Sequence, residues 1–184
     1  MPIPLLLPLA VGASALVGWV GWRWWRTGEV SMPAPLAFVP RADKDPSKLE
    51  PAFRAKVEAL LGALRARGHR PVIAEAWRSQ ARQDALYAQG RTRPGVIVTW
   101  TTDSEHTRGR AVDLIDGRPH PTRSGEIVGW GSWTGSPGDD VAKAMADDFY
   151  EDVGELAEDV GLVWGGTWSN PDKAHVQARS EVTT

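Results

Sequence analysis

The chain has 184 residues, room for one domain with appendages and too few for two full ones. Its 42% hydrophobic and 24% charged residues describe a folded protein, and a formal charge of -2 gives no general attraction to phosphate backbones, which excludes nucleic acid as the expected partner. The absence of cysteine excludes a disulfide scaffold, a thiol nucleophile and any sulfur-ligated zinc, so a metal site must draw on His, Asp or Glu.

Residues 1–22 carry no charged side chain, and residues 5–22 as a helix would be about 27 Å long, against about 30 Å of bilayer hydrocarbon. Trp19, Trp22, Trp24 and Trp25 follow beside Arg23 and Arg26, the amphipathic girdle expected where a span meets headgroups. Residues 1–26 are therefore read as a membrane anchor. A cleaved signal peptide is the rival, since Ala13-Ser14-Ala15 fits a small-x-small site, although no basic leader precedes it; a buried helix is the third reading. Residues 27–46, with Pro33, Pro35, Pro40 and Pro46, read as an extended tether, which leaves 47–184 as the folded domain.

Ser47 and Glu50 have capping-box spacing, and Phe53, Val57, Leu60, Leu61 and Leu64 recur at helical intervals up to Gly68. Residues 72–77 predict a strand; Ser79 then caps a helix that ends at Gly90. Residues 96–100 and 111–115 are further strand candidates, and 116–138, rich in Gly, Pro and Ser, predicts a long surface excursion. Val141, Met145, Phe149, Leu156 and Val160 predict the buried stripe of a second long helix whose other face holds nine acids between 139 and 159. Residues 162–164 and 174–177 close the domain as short strands around Gly165-Gly166. The order implies an α+β fold, a small antiparallel sheet with helices on one side.

Two of the four histidines sit in acid-containing clusters, His106 with Asp113 and His175 with Asp172. Two imidazoles and one carboxylate fill three positions around a divalent ion and leave a fourth for water, the arrangement of catalytic zinc. His106 and Asp113 are seven apart, so on an unbroken strand they would face opposite ways; convergence requires a turn, which Gly109 can supply. His69 and His120 fit neither cluster and are read as surface residues.

The run Ser104-x-His106-x-x-Gly109-x-Ala111-x-Asp113, followed by Asp172-x-x-His175, resembles the signature of zinc peptidases that cut peptidoglycan peptides, the D-alanyl-D-alanine carboxypeptidases and L-alanyl-D-glutamate endopeptidases, many phage endolysins among them. Trp77-Arg78-Ser79 with Gln83, the segment 86–92, and Gly161-Leu162-x-Trp164-Gly165-Gly166-x-Trp168 resemble the family's approaches to its ligands. The resemblance implies His106, Asp113 and His175 as Zn2+ ligands and Asp172 as general base. It implies Arg78 as the group that holds the scissile carbonyl, and Ser104 and Gln83 as substrate-binding residues. An aspartate at the base position implies the endopeptidase rather than the carboxypeptidase.

The implied partner is the bacterial peptidoglycan stem peptide, with the membrane engaged through the N-terminal segment. Arginines that follow the span and none before it would leave the domain in the cytoplasm, away from that substrate. Inverted topology, cleavage, or a place in a virion or lysis complex would remove the conflict, so the expected location is membrane-anchored, in the cell envelope or a virion. The reading from another class is a non-catalytic module that keeps the metal as a structural staple.

Overall fold

The computed structural model describes residues 39–131 and 138–180. The expected anchor at 1–26 and most of the tether lie outside the described residues; among those described, no helix is long and apolar enough to cross a membrane. Three helices, α1 (Pro51–Ala66), α2 (Gln80–Ala88) and α3 (Asp139–Asp159), accompany five strands, β1 (Pro71–Glu75), β2 (Ala111–Pro119), β3 (Ile127–Gly129), β4 (Leu162–Trp164) and β5 (His175–Ala178). The sheet is antiparallel, in the order β1-β2-β5-β4, with β3 also paired to β2. The fold is the expected α+β arrangement.

The period-2 alternation of the strands separates two jobs. Val112, Leu114, Val176 and Leu162 are buried against Phe53, Val57, Leu60 and Leu64 of α1 and Phe149 and Val153 of α3. Fully buried side chains of this size contribute about 1.5–3 kcal/mol each, so this core holds the sheet rigid enough to carry a site on its other face.

Several local expectations are corrected. Ser47 does not cap α1: Asp45 caps a short 3-10 turn, Pro46–Lys48, and Pro51 opens the helix after Glu50. Residues 96–100 form no strand. The excursion expected from residue 116 starts later, because β2 runs on to Pro119 and Asp116 is fully buried, bonded by the backbone and guanidinium of Arg118. Gly129 and Ile127 pair with Asp116 and Pro119 and add β3 to the sheet. On α3 the buried stripe runs through Ala142, Ala146, Phe149, Val153, Leu156 and Ala157; Val141 is exposed and Asp139, one of the nine acids, is buried. His69 and His120 are buried rather than superficial: His69 Nε2 meets Asp152 Oδ2 at 2.7 Å, and His120 Nδ1 accepts from the Thr122 and Arg123 amides. The partner of His69 lies far along the chain, which sequence spacing does not reveal.

Candidate active site

One row of residues crosses the face of the sheet away from the core. Asp113 of β2 stands opposite Glu75 of β1 on one side and opposite His175 of β5 on the other. Glu75 reaches this row because the β1 register shifts between Ile73 and Glu75: Ile73 pairs with core-facing Leu114, and the extra residue turns Glu75 to the opposite face. Gln177, two residues beyond His175, shares its face.

His106 joins the row from a 3-10 turn, Glu105–Arg108. Ser104 caps that turn, its hydroxyl accepting from the His106 amide, and Gly109 ends it at φ 68°. The left-handed conformation is one reason for glycine; the other is that a Cβ here would meet the Lys48 carbonyl at 2.7 Å. The space that Gly109 leaves is thus taken by the 48–50 backbone and not by a ligand. The expected turn between His106 and Asp113 is present.

His106 Nε2, Asp113 Oδ1 and His175 Nδ1 form a nearly equilateral triangle: 3.1 Å from His106 to Asp113, 3.3 Å from His175 to Asp113 and 3.2 Å between the two nitrogens. A tetrahedral ion with bonds of about 2.0–2.1 Å has neighbouring ligands about 3.3–3.4 Å apart, so the donor set fits a small divalent cation. Partners behind the ligands set the tautomers. His106 Nδ1–H donates to the Ala76 carbonyl at 2.8 Å and leaves Nε2 as the inward lone pair. His175 Nε2–H donates to Gln177 Oε1 at 3.0 Å and leaves Nδ1 inward. Such partners fix ring orientation at metal sites.

The electrostatics follow from this packing. Burial opposes ionisation of Asp113, but His106 and His175 outweigh it by charge and hydrogen bonds and hold the carboxyl well below the usual carboxylate range. Burial works against a charged His175, yet its bonds to Asp113 and Gln177 raise its pKa. Asp172 shifts upward, first because its neighbours strip water from the carboxyl and then because Asp113 carries a nearby charge. Its position comes from a tight turn: the Asp172 amide donates to Gly165 O, the His175 amide donates to Asp172 O, and a Cβ on Gly165 would meet Asp172 O at 2.6 Å.

Arg78 is buried behind Asp113. Its Nη2 donates to Glu75 at 2.7 Å and lies 3.5 Å from Asp113 Oδ2, its Nη1 donates to Gln83 Oε1 at 2.8 Å, and its Nε has no partner among the described residues. Arg82 grips the other oxygen of Glu75 at 2.6 Å. Gln83 has no exposed surface, and its amide nitrogen donates to Thr101 O at 2.6 Å. Gln83, expected at the substrate, stands behind Arg78 and is not among the residues that line the cleft. Ser104 lines the cleft, and its hydroxyl accepts from the His106 amide and so helps to shape that turn.

A cleft of about 830 Å³ opens over the triangle, lined by Arg78, His106, Asp113, Asp172 and His175 together with Trp100, Trp130 and Trp168. Glu75 and Gln177 were not singled out in the sequence. Alternation along β5 was a signal for Gln177; nothing local signalled Glu75, whose direction depends on the bulge.

A family model described as D-alanyl-D-alanine carboxypeptidase matches residues 98–178, the stretch that holds all three triangle residues and Asp172. The peptidoglycan L-alanyl-D-glutamate endopeptidase CwlK of Bacillus subtilis (strain 168) is 33% identical over 135 residues, 72% of this chain and 74% of that protein. The crystal structure of the Serratia marcescens L-Ala D-Glu endopeptidase ChiX is similar to 77% of this chain and 89% of its own, with 23% identity and a TM-score of 0.49.

Proposed function

The chain belongs to the D-alanyl-D-alanine carboxypeptidase and L-alanyl-D-glutamate endopeptidase family of peptidoglycan peptidases, and on that premise we propose that it is a zinc-dependent peptidase that hydrolyses the L-alanyl-D-glutamate amide of the stem peptide. The observation that carries the reading is the triangle of His106, Asp113 and His175 with Asp172 beside it in one cleft. The endopeptidase is preferred over the carboxypeptidase because of the named relative and of aspartate at residue 172.

His106, Asp113 and His175 would hold the ion, which when bound supplies Lewis acidity at neutral pH. Zinc suits two imidazole nitrogens and one carboxylate. The remaining work belongs to side chains. Asp172, its pKa raised, takes a proton from the attacking water; as the water oxygen bonds to the carbonyl carbon and the C–N bond breaks, it returns that proton to the leaving amine. Arg78 holds Asp113 in register and places an always-charged donor at the cleft wall, where negative charge develops on the carbonyl oxygen. Glu75, shared by Arg78 and Arg82, keeps that guanidinium oriented.

Digestion of defined muropeptides, with the new termini read by mass spectrometry, tests the reading. Release of peptides that begin with D-glutamate, abolished by chelation and restored by zinc, is the expected result. Loss of terminal D-alanine alone would make the chain a carboxypeptidase; turnover indifferent to chelation would overturn the metal assignment.

A further inference from the structure

We propose that the rim of this cleft is a sugar platform on which Trp100 and Trp130 stack the pyranose ring that carries the stem peptide. The inference rests on the peptidase reading for where the peptide lies, and it adds a subsite to it. Of the five described tryptophans, Trp100 is 68%, Trp130 55% and Trp168 38% exposed, and all three line the one cleft. Ile97 and Val98, also exposed, line it with them. A concentration of exposed apolar surface in a concave site marks a binding groove.

The chain holds these rings out of its core by construction. Thr99 O accepts from Arg91 Nη2 and Thr101 O accepts from Gln83 Nε2, so the backbone on both sides of Trp100 is pinned to α2 and to the turn that follows it while the indole lines the cleft. Gly90 lets this loop approach, since a Cβ there would meet Ile97 N at 2.7 Å. Trp130 stands between Gly129 (φ 65°) and Gly131 (φ 75°) at the end of β3. Trp168 lies deeper, its ring 5.0 Å from that of His175.

The occupant is chosen by shape and by connection. A pyranose has flat C–H faces and hydroxyls around its edge; indole faces match the former, and Ser169 and Asn170 in the same cleft offer hydrogen bonds to the latter. The alanyl methyls of a stem peptide are far smaller than an indole, which buries about 150–250 Å². The first stem residue is joined through a lactoyl group to muramic acid, so the sugar lies about one extended residue, roughly 3.6 Å, plus that linker from the scissile amide, and must enter this cleft with it.

The test uses the full chain and glycan strands freed of stem peptides and fixed to beads. Wild-type protein is retained; Trp100→Ala/Trp130→Ala binds about tenfold more weakly or worse, and Trp100→Phe/Trp130→Phe recovers most of the retention. Equal retention of the alanine variant, or no retention of the wild type, overturns the proposal. In parallel, the ratio of kcat/KM for disaccharide-linked tripeptide to that for free tripeptide falls about tenfold in the alanine variant. An equal fall on both substrates means that the rim holds peptide and overturns it; loss of vesicle binding with glycan retention intact assigns the rim to a membrane and overturns it too. Wild-type protein that retains glycan yet cleaves neither substrate refutes the peptidase reading and leaves the platform standing.

Discussion

Replacing Gln83 by leucine separates two accounts of one residue. Leucine keeps much of the volume and removes the side-chain hydrogen bonds, chiefly the 2.8 Å bond from Arg78 Nη1 and the 2.6 Å bond to Thr101 O, with a longer one to Thr99 Oγ1 at 3.3 Å. Arg78 is buried, so its stranded donor finds no water, and a lost hydrogen bond to a charged group costs about 1.5–3 kcal/mol. The Thr101 carbonyl lies in an exposed residue that water can reach, and its loss adds about 1 kcal/mol or less. The sum, about 2–4 kcal/mol, corresponds to a fall in Tm of about 4–16 °C for a domain of this size. Urea unfolding and thermal melts of metal-loaded Gln83→Leu measure it; in the same protein kcat falls more than KM rises, because Arg78 loses its orientation. A variant with unchanged Tm and a raised KM would refute the burial argument and return Gln83 to the substrate.

The other expectations concern the same face of the sheet. Gln177→Leu removes the acceptor of His175 Nε2–H and weakens zinc binding about 10–100-fold, read by competition with a chromogenic chelator; unchanged affinity would deny Gln177 a part in setting the tautomer. Asp172→Asn leaves zinc stoichiometry at the wild-type value while stem-peptide hydrolysis falls about 10²–10⁴-fold; loss of the metal instead would make Asp172 a ligand. For pH, burial disfavours ionised Glu75 but Arg78 and Arg82 outweigh it, and its pKa is lowered. Its contribution to stability is therefore complete above the unfolded value of about 4.3 and is lost as pH falls through the lower folded value. Melts across this range show a drop in Tm that Glu75→Gln largely removes; an equal drop in both proteins would place the acid sensitivity elsewhere.

The convergence of His106, Asp113 and His175 was legible because their geometry is local or set by simple alternation. His106 and Asp113 need one turn between them, and only Gly109 could make it. The stripe of α1 was legible for the same reason, since helical period alone defines it. The residues that failed to show answer to contacts across the fold. Residues 96–100 have a strand's composition, yet Arg91 and Gln83 hold this loop where a ladder would have been expected, and its apolar side chains face a cleft. His69 looks superficial beside its neighbours, but Asp152 and Phe149 of α3 enclose it. Glu75 has the parity of core-facing Ile73, and one bulge reverses it.

That bulge ties the fold to the chemistry. Without it Glu75 would enter the hydrophobic core as a bare carboxylate, a position that costs several kcal/mol or forces protonation. With it the carboxylate meets Arg78 and Arg82, whose charges exceed its own by one and leave Arg78 electrostatically free to face Asp113. Asp113 turns its other oxygen, Oδ1, to His106 Nε2 at 3.1 Å and His175 Nδ1 at 3.3 Å, and these contacts lower the pKa of the carboxyl and raise that of His175. A divalent cation held by His106, Asp113 and His175 would bring positive charge to the same oxygen. The sheet register that sets Glu75, Asp113 and His175 in one row thereby joins the Arg78–Glu75–Arg82 cluster to the donor triangle.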